Sequence, residues 1–287
     1  MSVQVKERWL RCGGYGTRFL EAGDPDAEPL LLIHDGAWGG SASTTWANLI
    51  PLLAPYRRVL APDMLGYGAS DKAVFLDRSP YAFRIAHLAD FLRVLGISAP
   101  IDVVGNSFGG STALRSLVMP DSFPIRSVVS IAGSGGPWRT PAALGELSRW
   151  DGTREDLARV VRFLVDDFPG FEEHLTERLR WASVPGHYKA IQAPTGAVPE
   201  SLRPAIHDPW PEQLRDVTQP ILLVSCTRDQ LIEPEWAARV SAVNPTIRVV
   251  EIDHPHSPNI DRPDEVARIL GDFLGFALDS SIAKTAL

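Results

Sequence analysis

Thiols are scarce in this sequence: Cys12 and Cys226 are the only cysteines among 287 residues, and no C-x-x-C pair occurs. Two thiols cannot build a zinc site without help from histidine. Cys226 lies in the apolar run ILLVSC, where a small buried hydrophobe is the expected role. Long apolar runs are also missing. No window approaches the roughly 18 residues that a membrane-spanning helix needs, and the N-terminal MSVQVKERWL carries no cleavage-site pattern. A soluble protein of the reducing cytoplasm is therefore expected. Basic clusters are sparse, the densest being Arg57-Arg58 and Arg178 with Arg180, against a formal net charge of -7. Nucleic acid and anionic membranes are thus poor partners. Nothing repeats at a fixed period, and nothing is of low complexity.

With 45% hydrophobic and 22% charged residues, the chain can bury one full core but not two large ones. Short apolar runs (PLLLIH, RRVLAP, IDVVGN, IRSVVSIAG, PILLVS and IRVVEID) read as buried strands bounded by turn formers. Continuous runs of this kind suit a parallel sheet covered on both faces. Between them lie amphipathic segments: Ile85, Leu88, Phe91, Leu92 and Leu95 fall at helical spacing before Gly96, and 264–277 has the same period. Residues 1–23 look like an antiparallel pair turning through Gly13-Gly14. The fold expected is α/β, a doubly wound, mostly parallel sheet of eight strands.

The alternation stops between 136 and 212, where helical patterns (156–165 and 171–182) and proline-rich loops hold four of the eight tryptophans. A parallel crossover needs only a dozen or so residues. The extra length is expected to form a helical cap (136–212) inserted after strand six of a core made of 1–135 and 213–287.

Gly105-Asn106-Ser107-Phe108-Gly109-Gly110 follows the strand IDVV and precedes a helix-like run. A serine on a sharp strand-to-helix turn needs neighbours without side chains two positions away on each side. The helix that follows points its N–H groups at the site. His34-Asp35-Gly36 and Asp63-Met64-Leu65-Gly66-Tyr67-Gly68-Ala69-Ser70 also follow strands. Together with Ser107, these segments resemble the α/β-hydrolases, with their His-Gly turn and D-x-x-G-x-G-x-S loop. The resemblance implies an oxyanion hole made by the backbone N–H groups of Phe108 and Gly36. Asp35 stands where glycine is common, which leaves the identity of the second donor open. His34 is expected to organise its loop.

A serine nucleophile needs a base, and the base needs an acid that fixes its tautomer. In this fold the chain order is Ser, Asp or Glu, then His. Asp229 follows ILLVS as Cys-Thr-Arg-Asp, near the usual G-x-x-D, with Cys226 in the glycine position. Two histidines, His254 and His256, follow the last strand. Asp261 and Pro263 lie five and seven residues after His256, the family's usual offsets, so His256 is the expected base.

The serine at 107 disfavours dehalogenase and epoxide hydrolase chemistry, for which the family uses aspartate there. GNSFGG is similar to the elbow of meta-cleavage-product hydrolases, which split carbon–carbon bonds in vinylogous 1,5-diketones. Arg180-Trp181 resembles their cap pair, and the resemblance implies that Arg180 binds a substrate carboxylate. Asn106, Asn48 and Trp181 are the other substrate-binding candidates. Two departures count against this class: Ser257 stands where the family has tryptophan, and HDGA replaces HGGG. An arginine on a helix is also readily solvated or paired, here with Glu177 three residues earlier. A carboxylesterase or lactonase is the alternative. Neither a metal nor an organic cofactor is expected. The partner is a small-molecule substrate, and the family resemblance implies a homo-oligomer.

Overall fold

The computed structural model describes residues 3–196 and 208–278. Its strands are β1 (Lys6–Cys12), β2 (Tyr15–Ala22), β3 (Pro29–Ile33), β4 (Arg58–Pro62), β5 (Ile101–Asn106), β6 (Ile125–Ile131), β7 (Ile221–Cys226) and β8 (Arg248–Ile252). They form one sheet in the order β1-β2-β4-β3-β5-β6-β7-β8. β2 is antiparallel to both neighbours, and the pairs from β4 to β8 are parallel. This is the α/β-hydrolase architecture, with helices on both faces.

The apolar runs form central strands because both of their faces are covered. Leu30 and Leu32 pack into one hydrophobic layer, and Leu31 and Ile33 into the other. Alternate side chains of one strand therefore serve two cores. IRVVEID differs from its expectation as a buried strand. As β8 it is an edge with a single neighbour, and Arg248, Val249 and Glu251 are exposed.

The helix expected near 85–95 runs Ala82–Val94, and Gly96 follows it in the left-handed region at φ 74°. The C-terminal helix is Pro263–Leu274, ended by Gly275 at φ 77°. Glycine adopts such angles without steric cost.

Between β6 and β7 the described residues form the helices Pro141–Gly145, Arg154–Val161, Phe171–Ala182 and His187–Gly196. Thr153 caps the second of these by accepting from Asp156 N, with Glu155 and Asp156 in its first turn. Strand register brings the carboxyl ends of β3, β5 and β6 level, with Ile33 beside Gly105 and Asn106 beside Ile131. In open α/β sheets this edge is where ligands bind. No helix of the described residues is long and apolar enough to cross a membrane.

Candidate active site

Ser107 stands between β5 and the helix Phe108–Ser116, with φ 55° and ψ -116°. A side chain rarely adopts this backbone conformation, so the turn stores strain. Packing enforces it. A Cβ at Gly109 would lie 2.1 Å from Ile33 O, and one at Gly105 would lie 2.2 Å from Gly109 O. The two flanking glycines thus let the elbow press against β3 and close on itself.

Two hydrogen bonds join three groups that are distant in sequence. Ser107 Oγ lies 2.8 Å from His256 Nε2, and His256 Nδ1 lies 2.6 Å from Asp229 Oδ2. The Asp229 carboxylate also accepts from Leu231 N at 2.7 Å. It can only accept from Nδ1–H, which leaves the Nε2 lone pair facing the serine hydroxyl. This geometry can remove a proton from Ser107 and later return it to a leaving group.

His254 is not part of this chain of contacts. Fully buried, it donates from Nε2 to Asp261 at 2.8 Å, and its Nδ1 accepts from His256 N at 3.2 Å. Asp261, whose spacing from His256 matched the family pattern, is therefore the partner of the other histidine. Asp261 also accepts from Asp166 N at 3.1 Å. Asp166, His254 and Asp261 could together offer ligand atoms to a cation. Arg228 and Arg262 already lie 2.6 and 2.9 Å from Asp166, however, and balance its charge.

Gly36 packs directly on Phe108: a Cβ on Gly36 would lie 2.7 Å from Phe108 Cβ. Its neighbours' N–H groups are occupied. Ala37 N donates to Asp35 Oδ1 at 2.9 Å, Asp35 N to Thr45 Oγ1 at 3.3 Å, and Gly39 N to His187 Nε2 at 3.1 Å. Among the described residues the N–H groups of Gly36 and Phe108 have no hydrogen-bond acceptor. Two free N–H groups beside the Ser107 hydroxyl could accommodate an oxyanion.

His34 bridges the two loops, donating from Nδ1 to Asp35 O at 2.6 Å and accepting from Met64 N at 2.9 Å. Burial pushes its imidazole below the ordinary value, which keeps the accepting nitrogen unprotonated. Asp35 is fully buried and meets a group that sequence reasoning missed. Arg178, equally buried on the helix Phe171–Ala182, reaches Asp35 Oδ2 at 2.7 Å and Oδ1 at 3.2 Å. Burial alone would raise the Asp35 carboxyl, but the Arg178 guanidinium and the Thr45 hydroxyl hold it well below the usual range. Asp35 in a turn usually made of glycine was the available signal, together with basic residues in the insertion.

The four substrate-binding candidates have the following surroundings. Arg180 has 59% of its side chain exposed, pairs with Glu177 at 3.1 Å and lies over the Trp181 ring. The structure does not bring it to Ser107. Three residues span most of a helical turn, so Arg180 meets Glu177 on the outer face while Arg178 points inward. Trp181 is buried, and its indole N–H is shared between Glu177 Oε1 at 2.7 Å and Ser43 Oγ at 2.9 Å. Asn48 is exposed and donates to Ile260 O at 2.7 Å. Asn106 is fully buried; its Oδ1 accepts from Ser257 Oγ at 2.9 Å, and its Nδ2 donates to Ile131 O at 3.3 Å. Ser257, in the family's tryptophan position, thus ties the histidine loop to the elbow. Cys226 is buried, with its thiol 3.6 Å from His256 O.

Comparison with known proteins fits this geometry. The profile of the "Alpha/beta hydrolase family" matches residues 30–269. The chain is 30% identical to a 2-hydroxy-6-oxo-6-(2'-aminophenyl)hexa-2,4-dienoic acid hydrolase of Metapseudomonas resinovorans, over 95% of this chain and 92% of that one. It is 26% identical to a 2-hydroxy-6-oxo-2,4-heptadienoate hydrolase of Pseudomonas putida, over 93% of this chain and 95% of that one. A crystal structure of a serine hydrolase involved in carbazole degradation superposes with a TM-score of 0.79 at 29% identity, covering 95% of this chain and 99% of that one. The chain belongs to the alpha/beta hydrolase family, as an enzyme of that fold with carbon–carbon bond hydrolases among its relatives.

Proposed function

We propose that this enzyme hydrolyses a carbon–carbon bond in a 2-hydroxy-6-oxo-dienoate, using Ser107, His256 and Asp229 as a catalytic triad. The observation that carries the reading is the bonded series Ser107–His256–Asp229, in a chain 30% identical to a dienoic acid hydrolase. His256 takes the Ser107 proton as the oxygen attacks the ketone carbon. The N–H groups of Gly36 and Phe108 receive the oxyanion. With the 2-hydroxydiene first tautomerised to its 2-oxo-3-ene form, by transfer of the hydroxyl proton to the carbon next to the ketone, the bond to that carbon breaks. Its electron pair spreads through the double bond onto the 2-oxo group, and the fragment takes the proton from His256. Water, deprotonated by His256, releases the acyl group as a carboxylic acid and frees Ser107. The sum is addition of one water across the broken bond.

In this reading the insertion 136–212, of which 197–207 lie outside the described residues, is a cap over Ser107, and Leu164 O accepts from Ser257 N at 2.7 Å to tie it to the histidine loop. Oxyanion stabilisation and the triad serve an ester equally well. The outward side chain of Arg180 favours the second reading, a carboxylesterase or lactonase, because the implied carboxylate anchor is then missing.

The two readings separate on paired substrates. The specificity constant for a chromogenic 2-hydroxy-6-oxo-dienoate should exceed that for p-nitrophenyl butyrate by at least about 10²-fold, close to 3 kcal/mol of differential transition-state binding. A larger value for the ester would replace carbon–carbon hydrolysis by ester hydrolysis.

A further inference from the structure

A buried carboxylate immediately before an oxyanion donor poses an electrostatic problem. Negative charge develops on the substrate oxygen at Gly36 N–H, and Asp35 is the adjacent residue, with no solvent to screen it. An uncompensated carboxylate there would oppose the transition state. It is nevertheless useful to the turn. By accepting from Ala37 N and from the Thr45 hydroxyl at 2.7 Å, it fixes the bend that leaves Gly36 N–H free.

We propose that Arg178 resolves this conflict as a positioning and charge-balancing residue of the oxyanion turn, so that the turn is complete only when the cap helix is seated on it. The inference rests on the reading of Ser107 as nucleophile. Three contacts define the arrangement. The guanidinium meets both oxygens of Asp35, and Nη1 also donates to Trp38 O at 3.1 Å, further along the same turn. The helix backbone abuts the turn so closely that a Cβ at Gly39 would lie 2.0 Å from Arg178 O. His187, from the next cap helix, accepts from Gly39 N; burial lowers its imidazole to about 4, which keeps it an acceptor at neutral pH.

Two helices of the insertion therefore hold the turn by side chains. A cap that lifted would leave Asp35 charged and unpaired beside the reacting oxygen. The cap would then not merely cover the pocket. Its seating would switch the local charge from opposing the oxyanion to neutral toward it.

The test uses two variants that break the same ion pair from opposite sides. Arg178→Met removes the cation and leaves the carboxylate. Asp35→Asn keeps one oxygen to accept from Ala37 N, turns an amide N–H toward the Thr45 hydroxyl, which can accept it, and removes the negative charge. If the pair merely pins the cap, both variants lose kcat equally. Under the proposal, Arg178→Met loses about 10²-fold in kcat on p-nitrophenyl butyrate, comparable to loss of an oxyanion donor, with KM changed less than about threefold. Asp35→Asn then loses at least about tenfold less than Arg178→Met, and Asp35→Asn/Arg178→Met recovers about tenfold over Arg178→Met alone.

Equal losses in the two single variants, or no recovery in the double variant, would overturn the proposal. If Arg178→Met does not fold, Arg178→Lys supplies the comparison. Lysine retains the charge and loses the forked contact, so a kcat within about tenfold of the parent is expected, and a loss near 10²-fold overturns the charge argument. Ser107→Ala run in parallel separates the two levels. If Ser107→Ala still hydrolyses the ester, the reading of the site fails. If it is dead while Arg178→Met is fully active, only this inference fails.

Discussion

The elbow at Ser107 and the turn at Asp35–Gly36 face each other across the site and are held in opposite ways. Backbone sterics hold the elbow: Gly105 and Gly109 admit no Cβ, and Ser107 stands at a positive φ between them. The steric constraints on it come from within a few residues or from the adjacent strand. Side chains hold the turn instead, and the decisive one, Arg178, is 143 positions away in the sequence. The elbow can thus be altered by changing one local residue. The turn depends on the seating of a separate part of the chain.

The largest expected effects lie in the elbow. Ser107→Ala should lower kcat by about 10⁴-fold or more, as the loss of a triad nucleophile does elsewhere, and should leave the fold intact. Ser107→Gly should be equally inactive but more stable than Ser107→Ala by about 1–2 kcal/mol, because glycine relieves the strain at φ 55°. Thermal unfolding of the two variants side by side checks this. A less stable glycine variant would mean that the strain is not stored at residue 107. Gly109→Ala, by contrast, should abolish folding, because its Cβ would have to displace the β3 backbone.

Next in size is the contrast between the two histidines. His256→Ala should cost about 10⁴-fold or more in kcat, since His256 is bonded to both Ser107 and Asp229. His254→Ala should cost about tenfold, because it removes only the acceptor for His256 N and the partner of Asp261. His254→Asn can retain an acceptor near Nδ1 and should recover most of that loss. A His254→Ala defect as large as that of His256→Ala would show that the second pair also carries the proton.

The strand–helix alternation, both sheet faces and the elbow were legible because each is written in local periodicity or in glycine spacing. The same holds for the positions of Ser107, Asp229 and His256, which lie at strand ends in the order the fold requires. What was not legible was pairing across the chain. Asp261 has the family's spacing from His256, yet it bonds His254, because spacing fixes a position along a loop and not the direction of a side chain. Asp35 stood out as a departure from glycine, but nothing local names Arg178 as its partner. The bond between Asn106 and Ser257, which stands in the family's tryptophan position, is likewise invisible in local spacing. The edge position of β8 was hidden for the same reason: an apolar run does not reveal how many neighbours it has.

The smallest expected effect belongs to Arg180, two residues from Arg178. Its guanidinium is mostly exposed, pairs with Glu177 within one helical turn and lies over the Trp181 ring. Such surface contacts are each worth at most about 1 kcal/mol. Arg180→Ala should therefore change the specificity constants for a dienoate and for a neutral ester by the same factor, less than about threefold. Arg178→Met should alter both through kcat, because the oxyanion forms with either substrate. If Arg180→Ala instead raised KM for the dienoate alone by about tenfold or more, Arg180 would have to swing inward when an anionic substrate binds. The exposed rotamer would then be a resting state, and the carboxylate anchor implied by the Arg180-Trp181 resemblance would be restored.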